Sequence, residues 1–144
     1  MKGLAVLGST GSVGVQTLNV VRSFPDRLNV VGLSARRNIG LLKEQIEEFQ
    51  PRLFYCENSP RHNIAISPSG CVECGIEDMV IDPDVDLVVS AVVGDVGLRS
   101  TLAAIETGKN VALANKESVV IGGQLIAECL SKSDGVILPV DSEP

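Results

Sequence analysis

The sequence predicts a doubly wound α/β sheet whose strands are mainly parallel, and three observations predict it. Six short apolar runs are separated by segments of helical period, and those segments are long enough to be crossover helices, which need about a dozen residues. Glycines cluster directly after the first run and before the first helical segment. The whole chain is 144 residues, the size of one core and too short for two. Parallel pairing with right-handed crossovers then places helices on both faces of one sheet, a Rossmann-like arrangement.

Each element has its own signal. Leu4-Ala5-Val6-Leu7 is an apolar run stopped by Gly8, and Val15, Thr17, Leu18 and Val21 recur at helical spacing as far as Arg22. Leu28-Asn29-Val30-Val31-Gly32-Leu33 is the second strand. Leu42, Ile46 and Phe49 mark one face of the helix after it, which must end before Pro51. Leu53-Phe54-Tyr55-Cys56 is a third strand, and residues 57–75 carry Asn, Ser, Pro and Gly without a period. Leu87-Val88-Val89-Ser90-Ala91 reads as a buried strand. Leu98, Leu102 and Ile105 stripe a helix, Gly108 is placed to cap it, and Asn110-Val111-Ala112-Leu113 is the next strand. Leu125, Ile126, Cys129 and Leu130 stripe the last helix before the strand Val136-Ile137-Leu138. No repeat, low-complexity tract or linker interrupts this order. The final Val140-Asp141-Ser142-Glu143-Pro144 has neither a helix nor a polar tail, so the chain reads as the front part of something longer.

Composition excludes several functions. Hydrophobic residues make up 44% and charged residues 21%, yet no apolar run approaches the roughly 18 residues that span a bilayer. A net charge of −6 and aromatic content of 3% leave neither the basic field nor the stacking surfaces of a nucleic-acid binder. The first half carries the excess of Lys and Arg and the second half the excess of Asp and Glu, so an anion is better placed in the first half. The amino terminus lacks the apolar stretch of about 7–15 residues of an export signal. Four cysteines in an ordinary composition are no disulfide framework, and a reducing cytoplasm is the expected location.

Gly8-Ser9-Thr10-Gly11-Ser12-Val13-Gly14 lies where a dinucleotide fold carries its phosphate loop, between the first strand and the first helix. Glycine lets the backbone turn tightly and approach a pyrophosphate, hydroxyls add donors, and the helix N-terminus supplies free N–H groups with partial positive charge. The spacing is G-x-x-G-x-x-G, and a purely structural turn is the alternative. An NAD-selective site would place a carboxylate at the end of the second strand to accept the ribose hydroxyls. Here the strand runs out through Ser34-Ala35-Arg36-Arg37-Asn38, where two guanidinium groups suit a 2′-phosphate. NADP is therefore favoured, with solvated loop charges as the simpler alternative.

Two later segments add polar chemistry. Ala114-Asn115-Lys116-Glu117-Ser118 follows the fifth strand, at the sheet edge where ligands bind. Asp141-Ser142-Glu143 follows the sixth, and alternate residues of an extended segment project to one side, so both carboxylates can converge on one hard cation. Taken alone, Asp141 and Glu143 read more simply as solvated acids.

Gly8-Ser9-Thr10-Gly11-Ser12-Val13-Gly14, Leu33-Ser34-Ala35, Ala114-Asn115-Lys116-Glu117-Ser118 and Leu138-Pro139-Val140-Asp141-Ser142-Glu143 together resemble the 1-deoxy-D-xylulose 5-phosphate reductoisomerase family, in order and spacing, over that family's NADPH-binding domain. The resemblance implies an enzyme that isomerises a ketose phosphate and reduces the product with NADPH to 2-C-methyl-D-erythritol 4-phosphate, a step of non-mevalonate isoprenoid synthesis. It further implies that Thr10, Gly11, Ser12 and Val13 hold the pyrophosphate side of NADPH, Ala35, Arg36, Arg37 and Asn38 the adenosine phosphate, and Asn115 and Glu117 the nicotinamide end. Lys116, Ser142 and Glu143 would touch substrate, with Lys116 and Glu143 catalytic, and Asp141 and Glu143 would bind Mg²⁺ or Mn²⁺. A homodimer is implied for the full-length family enzyme. Pro144 stands where the family continues with histidine, and Arg36 where it has a small residue. The third metal carboxylate, the substrate-phosphate residues, the lid and the C-terminal helical domain are not among the 144 residues, so the chain alone is expected to bind NADPH without turnover.

The same residues admit other readings. Cys71-Val72-Glu73-Cys74 with Cys56 and His62 nominally supplies four zinc ligands, but without regular knuckle spacing, and thiols in loops or core are the simpler reading. Another NADP-dependent reductase, such as the aspartate-semialdehyde dehydrogenase group, would need a nucleophilic cysteine in a recognisable context, which none of the four has. A stand-alone, non-catalytic nucleotide-binding module is the remaining alternative.

Overall fold

The computed structural model describes residues 1–57, 71–92, 94–114 and 116–139, excepting the side chains of 116–121. Its elements, in chain order, are β1 Lys2–Leu7, α1 Ser12–Ser23, β2 Leu28–Ala35, α2 Ile39–Phe49, β3 Leu53–Cys56, β4 Val72–Glu73, α3 Ile76–Val80, β5 Leu87–Ser90, α4 Gly94–Glu106, β6 Asn110–Leu113, α5 Lys116–Lys132 and β7 Ile137–Pro139. The strands form one sheet in the order β4-β3-β2-β1-β5-β6-β7, and every pairing is parallel.

β1 is central because it is apolar on both sides: Leu4, Ala5, Val6 and Leu7 are all buried, as a strand covered by helices on both faces requires. Leu4 and Val6 join one core with Leu18 and Val21 of α1 and Leu42 and Ile46 of α2. Ala5 and Leu7 join the other, with Met79 and Val80 of α3, Ala104 and Ile105 of α4 and Ile126 of α5. The expected doubly wound sheet is thus realised, with β1 between β2 and β5 at the point where strand order reverses.

The described residues contain seven strands where six were expected. The additional β4 is two residues long, and the five-residue α3 follows it, both too short to carry a period. Gly108, just past α4, adopts φ +79 as its position predicted. The stripe expected on α5 is narrower than its sequence suggested. Ile126 is buried but Leu125 is 52% exposed, because α5 packs chiefly against α4 and one helix-on-helix seam needs fewer positions than a sheet. On α4 the fully buried positions are Gly97, Ser100, Thr101, Ala104 and Ile105, while Leu98 and Leu102 are half-buried; Leu98 lies so close to α5 that a Cβ on Gly122 would meet its Cδ1 at 2.3 Å.

Polar ties close the amino edge of the sheet. Gly3 N donates to Asp86 Oδ2 at 2.8 Å, Arg52 bridges Asp82 and Asp84, and Lys109 Nζ donates to the Asp82 carbonyl at 2.8 Å. Burial raises the Asp82 pKa, but the Asp84 N–H and the Arg52 guanidinium outweigh it and hold the carboxyl below its ordinary value.

Candidate functional site

The glycine turn leaves β1 at Gly8, which adopts φ +80, a conformation glycine takes without strain. Gly8 N and Ser9 N both donate to the Ser34 carbonyl, at 3.1 and 2.8 Å, so the turn rests on the end of β2. Gly14 has no room for a side chain, since a Cβ there would stand 2.3 Å from the Gly8 carbonyl oxygen. The close approach draws the first turn of α1 onto the loop.

Gly11 occupies the N-cap of α1 and no side chain caps that end. The first bond of the helical ladder is the 2.9 Å contact from Val15 N to the Gly11 carbonyl, so the N–H groups of Ser12, Val13 and Gly14 lie ahead of it. The first helical turn contains no acidic residue. Its partial positive charge is therefore left for a ligand, and an anion of pyrophosphate type fits it.

Behind the turn, Ser9 is fully buried and bonds Gln45 of α2 twice. Ser9 Oγ donates to Gln45 Oε1 at 2.7 Å, and Gln45 Nε2 donates to the Ser9 carbonyl at 2.8 Å. The sequence carried a signal for this residue in the form of a glutamine beside Leu42 and Ile46 on an otherwise apolar stripe.

A crevice of about 540 Å³ opens at the carboxyl ends of β1, β2, β3 and β5, lined by Gly8, Ser34, Ala35, Arg36, Tyr55, Glu57, Ala91 and Arg99 among others. This is the edge and the reversal point at which open α/β sheets take ligands. Arg36, which lines the crevice, and its neighbour Arg37 are both exposed. Arg36 Nε pairs with Glu57 Oε2 at 3.1 Å, whereas Arg37 has no ion pair among the described residues. Glu57 is the partner that sequence reading missed, because it follows β3 and reaches Arg36 only through the pairing of Ala35 with Cys56. Asn38 Oδ1 accepts the Leu41 N–H at 3.1 Å and caps α2, which leaves its amide N–H₂ to donate elsewhere.

The structure thus brings Thr10, Gly11, Ser12, Val13, Ala35, Arg36, Arg37 and Asn38 to one edge of the sheet. Lys116 and Glu117 open α5 at that edge, just beyond β6, with their side chains outside the described residues. Asn115, Asp141, Ser142 and Glu143 lie outside the described residues, as does His62. Cys56, Cys71, Cys74 and Cys129 form no disulfide among the described residues. Cys56 and Cys71 pack with one core and Cys74 with the other, and burial, helped by Asp78 and Asp82, pushes the Cys74 thiol up to about 11. Among the described residues no group of three or more His, Cys, Asp and Glu could hold a metal ion, and no helix is long and apolar enough to cross a membrane.

An all-parallel sheet with a glycine turn and an uncapped helix at its reversal point defines the Rossmann-like class of open α/β proteins. Comparison with known proteins narrows the class. The model of the 1-deoxy-D-xylulose 5-phosphate reductoisomerase family matches residues 4–123, and the chain belongs to that family. The enzyme of that name from Anaeromyxobacter dehalogenans is 48% identical over 99% of this chain. A crystal structure of DOX-P reductoisomerase in complex with NADPH, fosmidomycin and magnesium superposes with a TM-score of 0.87 at 36% identity, covering 99% of this chain and 37% of the other. The Zymomonas mobilis reductoisomerase in complex with NADPH gives a TM-score of 0.86 at 33% identity, covering 99% of this chain and 39% of the other. The chain spans 38% of the length of the Anaeromyxobacter relative.

Proposed function

We propose that residues 1–144 form the NADPH-binding domain of a 1-deoxy-D-xylulose 5-phosphate reductoisomerase, and that by themselves they bind NADPH without turnover. The observation that carries the reading is the uncapped first turn of α1, opening beside a crevice at the reversal point of the sheet. Family membership and the NADPH in two similar solved structures support it.

In this reading the N–H groups of Ser12 and Val13 receive the pyrophosphate, with Thr10 and Gly11 shaping the approach. Arg37 supplies the guanidinium to the 2′-phosphate, because Arg36 is engaged by Glu57 while Arg37 is not. Asn38 adds its free amide N–H₂, and Ala35 forms the floor beneath them. Asn115 and Glu117 orient the nicotinamide end, and Lys116, Ser142 and Glu143 hold the substrate, with Lys116 and Glu143 acting in catalysis. Asp141 and Glu143 offer the hard oxygen donors that Mg²⁺ or Mn²⁺ takes, and such an ion supplies Lewis-acid polarisation of substrate oxygens when bound. Cytoplasmic residence fits four cysteines that remain thiols, and the homodimer is carried over from the family resemblance.

Calorimetric titration with NADPH and NADH tests the reading. NADPH is expected to bind at least about tenfold tighter, a difference of about 1.4 kcal/mol. Equal affinities would remove the role of the arginines, and no binding of either would overturn the dinucleotide assignment. Mixing the chain with NADPH and 1-deoxy-D-xylulose 5-phosphate should give no loss of absorbance at 340 nm. Measurable oxidation would show that these residues suffice for catalysis.

A further inference from the structure

Gln45 lies on the buried face of α2, 4% exposed, between two aliphatic side chains that are fully buried. An amide there costs desolvation that a leucine would avoid, and only good hydrogen bonds offset it. Both bonds go to one residue, Ser9, from 36 positions away. The amide orientation is fixed by its partner: a carbonyl oxygen cannot donate, so Nε2 must face the Ser9 carbonyl and Oε1 the hydroxyl.

Ser9 is consequently held at three points. Its N–H goes to the Ser34 carbonyl at 2.8 Å, and its carbonyl and hydroxyl go to Gln45. Gly14 abuts the same residue, since a Cβ on Gly14 would stand 2.5 Å from Ser9 Cα. Fixing Ser9 therefore fixes the loop from Gly8 to Gly14 and the direction in which the first N–H groups of α1 point. A loop already ordered in its binding conformation loses less entropy when the ligand arrives.

We propose that Gln45, though remote from the crevice surface, is a positioning residue for the dinucleotide's pyrophosphate, acting through Ser9 on the phosphate turn. The inference rests on the NADPH-binding reading and names the residue that preorganises it.

The test compares two ligands on Gln45→Met, Ser9→Ala and the double variant. NADPH carries the pyrophosphate, whereas adenosine 2′-monophosphate carries only the phosphate that the arginines would meet. Gln45→Met nearly keeps the side-chain volume and removes both bonds. It is expected to weaken NADPH at least about tenfold while leaving adenosine 2′-monophosphate, followed by NMR titration, within about twofold of the unaltered chain. The double variant should bind NADPH no more weakly than Gln45→Met, since both residues act as one unit. Ser9→Ala, which keeps the bond to the carbonyl, should lose about threefold on NADPH alone and decides the matter if Gln45→Met does not fold. Unchanged NADPH affinity in a folded variant, or equal losses for both ligands, would overturn the proposal by leaving only a structural role. If the unaltered chain bound adenosine 2′-monophosphate but not NADPH, the NADPH-binding reading itself would fall.

Discussion

Arg36 and Arg37 are neighbours in sequence with different surroundings. Arg36 lines the crevice and is paired with Glu57, whereas Arg37, also exposed, has no ion pair among the described residues. A 2′-phosphate arriving at Arg36 must displace a carboxylate, while at Arg37 it meets a guanidinium with no ion pair among the described residues. Arg37→Ala should therefore weaken NADPH about tenfold and leave NADH within about twofold, a loss of about 1.4 kcal/mol that approaches the worth of one charge-assisted hydrogen bond. Arg36→Ala should cost NADPH clearly less, and Glu57→Gln should tighten it; parallel calorimetric titrations of the three variants check the order, and a larger loss at Arg36 would reverse the assignment. At this scale the sequence was legible where chemistry is local. The glycine turn and the arginine pair are contiguous motifs, readable without a fold. Glu57 and the Ser9–Gln45 pair come together only after strands and helices have packed; a glutamine in the apolar stripe of α2 marks Gln45 locally, but no local pattern names its partner.

The helices show how far a single element explains itself. α2 is legible in its stripe and its end: Leu42 and Ile46 are buried, and it stops at Gln50, whose φ of 49 is the left-handed end that precedes Pro51, while the Asn38 cap was seen only in the structure. Asn38→Ala is expected to cost about 1 kcal/mol, read as a lower urea midpoint at unchanged slope. An unchanged midpoint would mean that the cap is dispensable for α2. Between α1 and α2, Arg22 meets Glu48 and lies 5.1 Å from the centre of the Phe49 ring. The stripe on α5 was less legible, because sequence period shows which residues are apolar without showing whether a sheet or another helix will cover them. β4 and α3 were not legible at all. A two-residue strand and a five-residue helix hold fewer than two periods of their own pattern, so neither repeats it.

For the molecule as a whole, charge links stability to pH through the amino edge of the sheet. Asp82, held below its ordinary pKa by Asp84 N–H and Arg52 despite burial, and Glu48, held down by Arg22, both take up a proton less readily folded than unfolded. Their contribution is present above the unfolded carboxyl pKa of about 4 and is lost as pH falls through the lower folded values. The urea midpoint should accordingly decline below about pH 4, and Arg52→Met should flatten that decline; an equal decline in the variant would show that other groups carry it. The parallel order of the strands also has a consequence in time. β1 is made before the other six strands of this sheet and lies at its centre, yet one of its two neighbours, β5, is made far later: the Gly3–Asp86 bond alone closes 83 residues. During synthesis β1, α1, β2 and α2 are complete while one edge of the central strand still has no partner. The glycine turn, whose ties to Ser34 and Gln45 span only this early part, is thus assembled from residues made long before Ala91 and Arg99 on the far wall of the crevice.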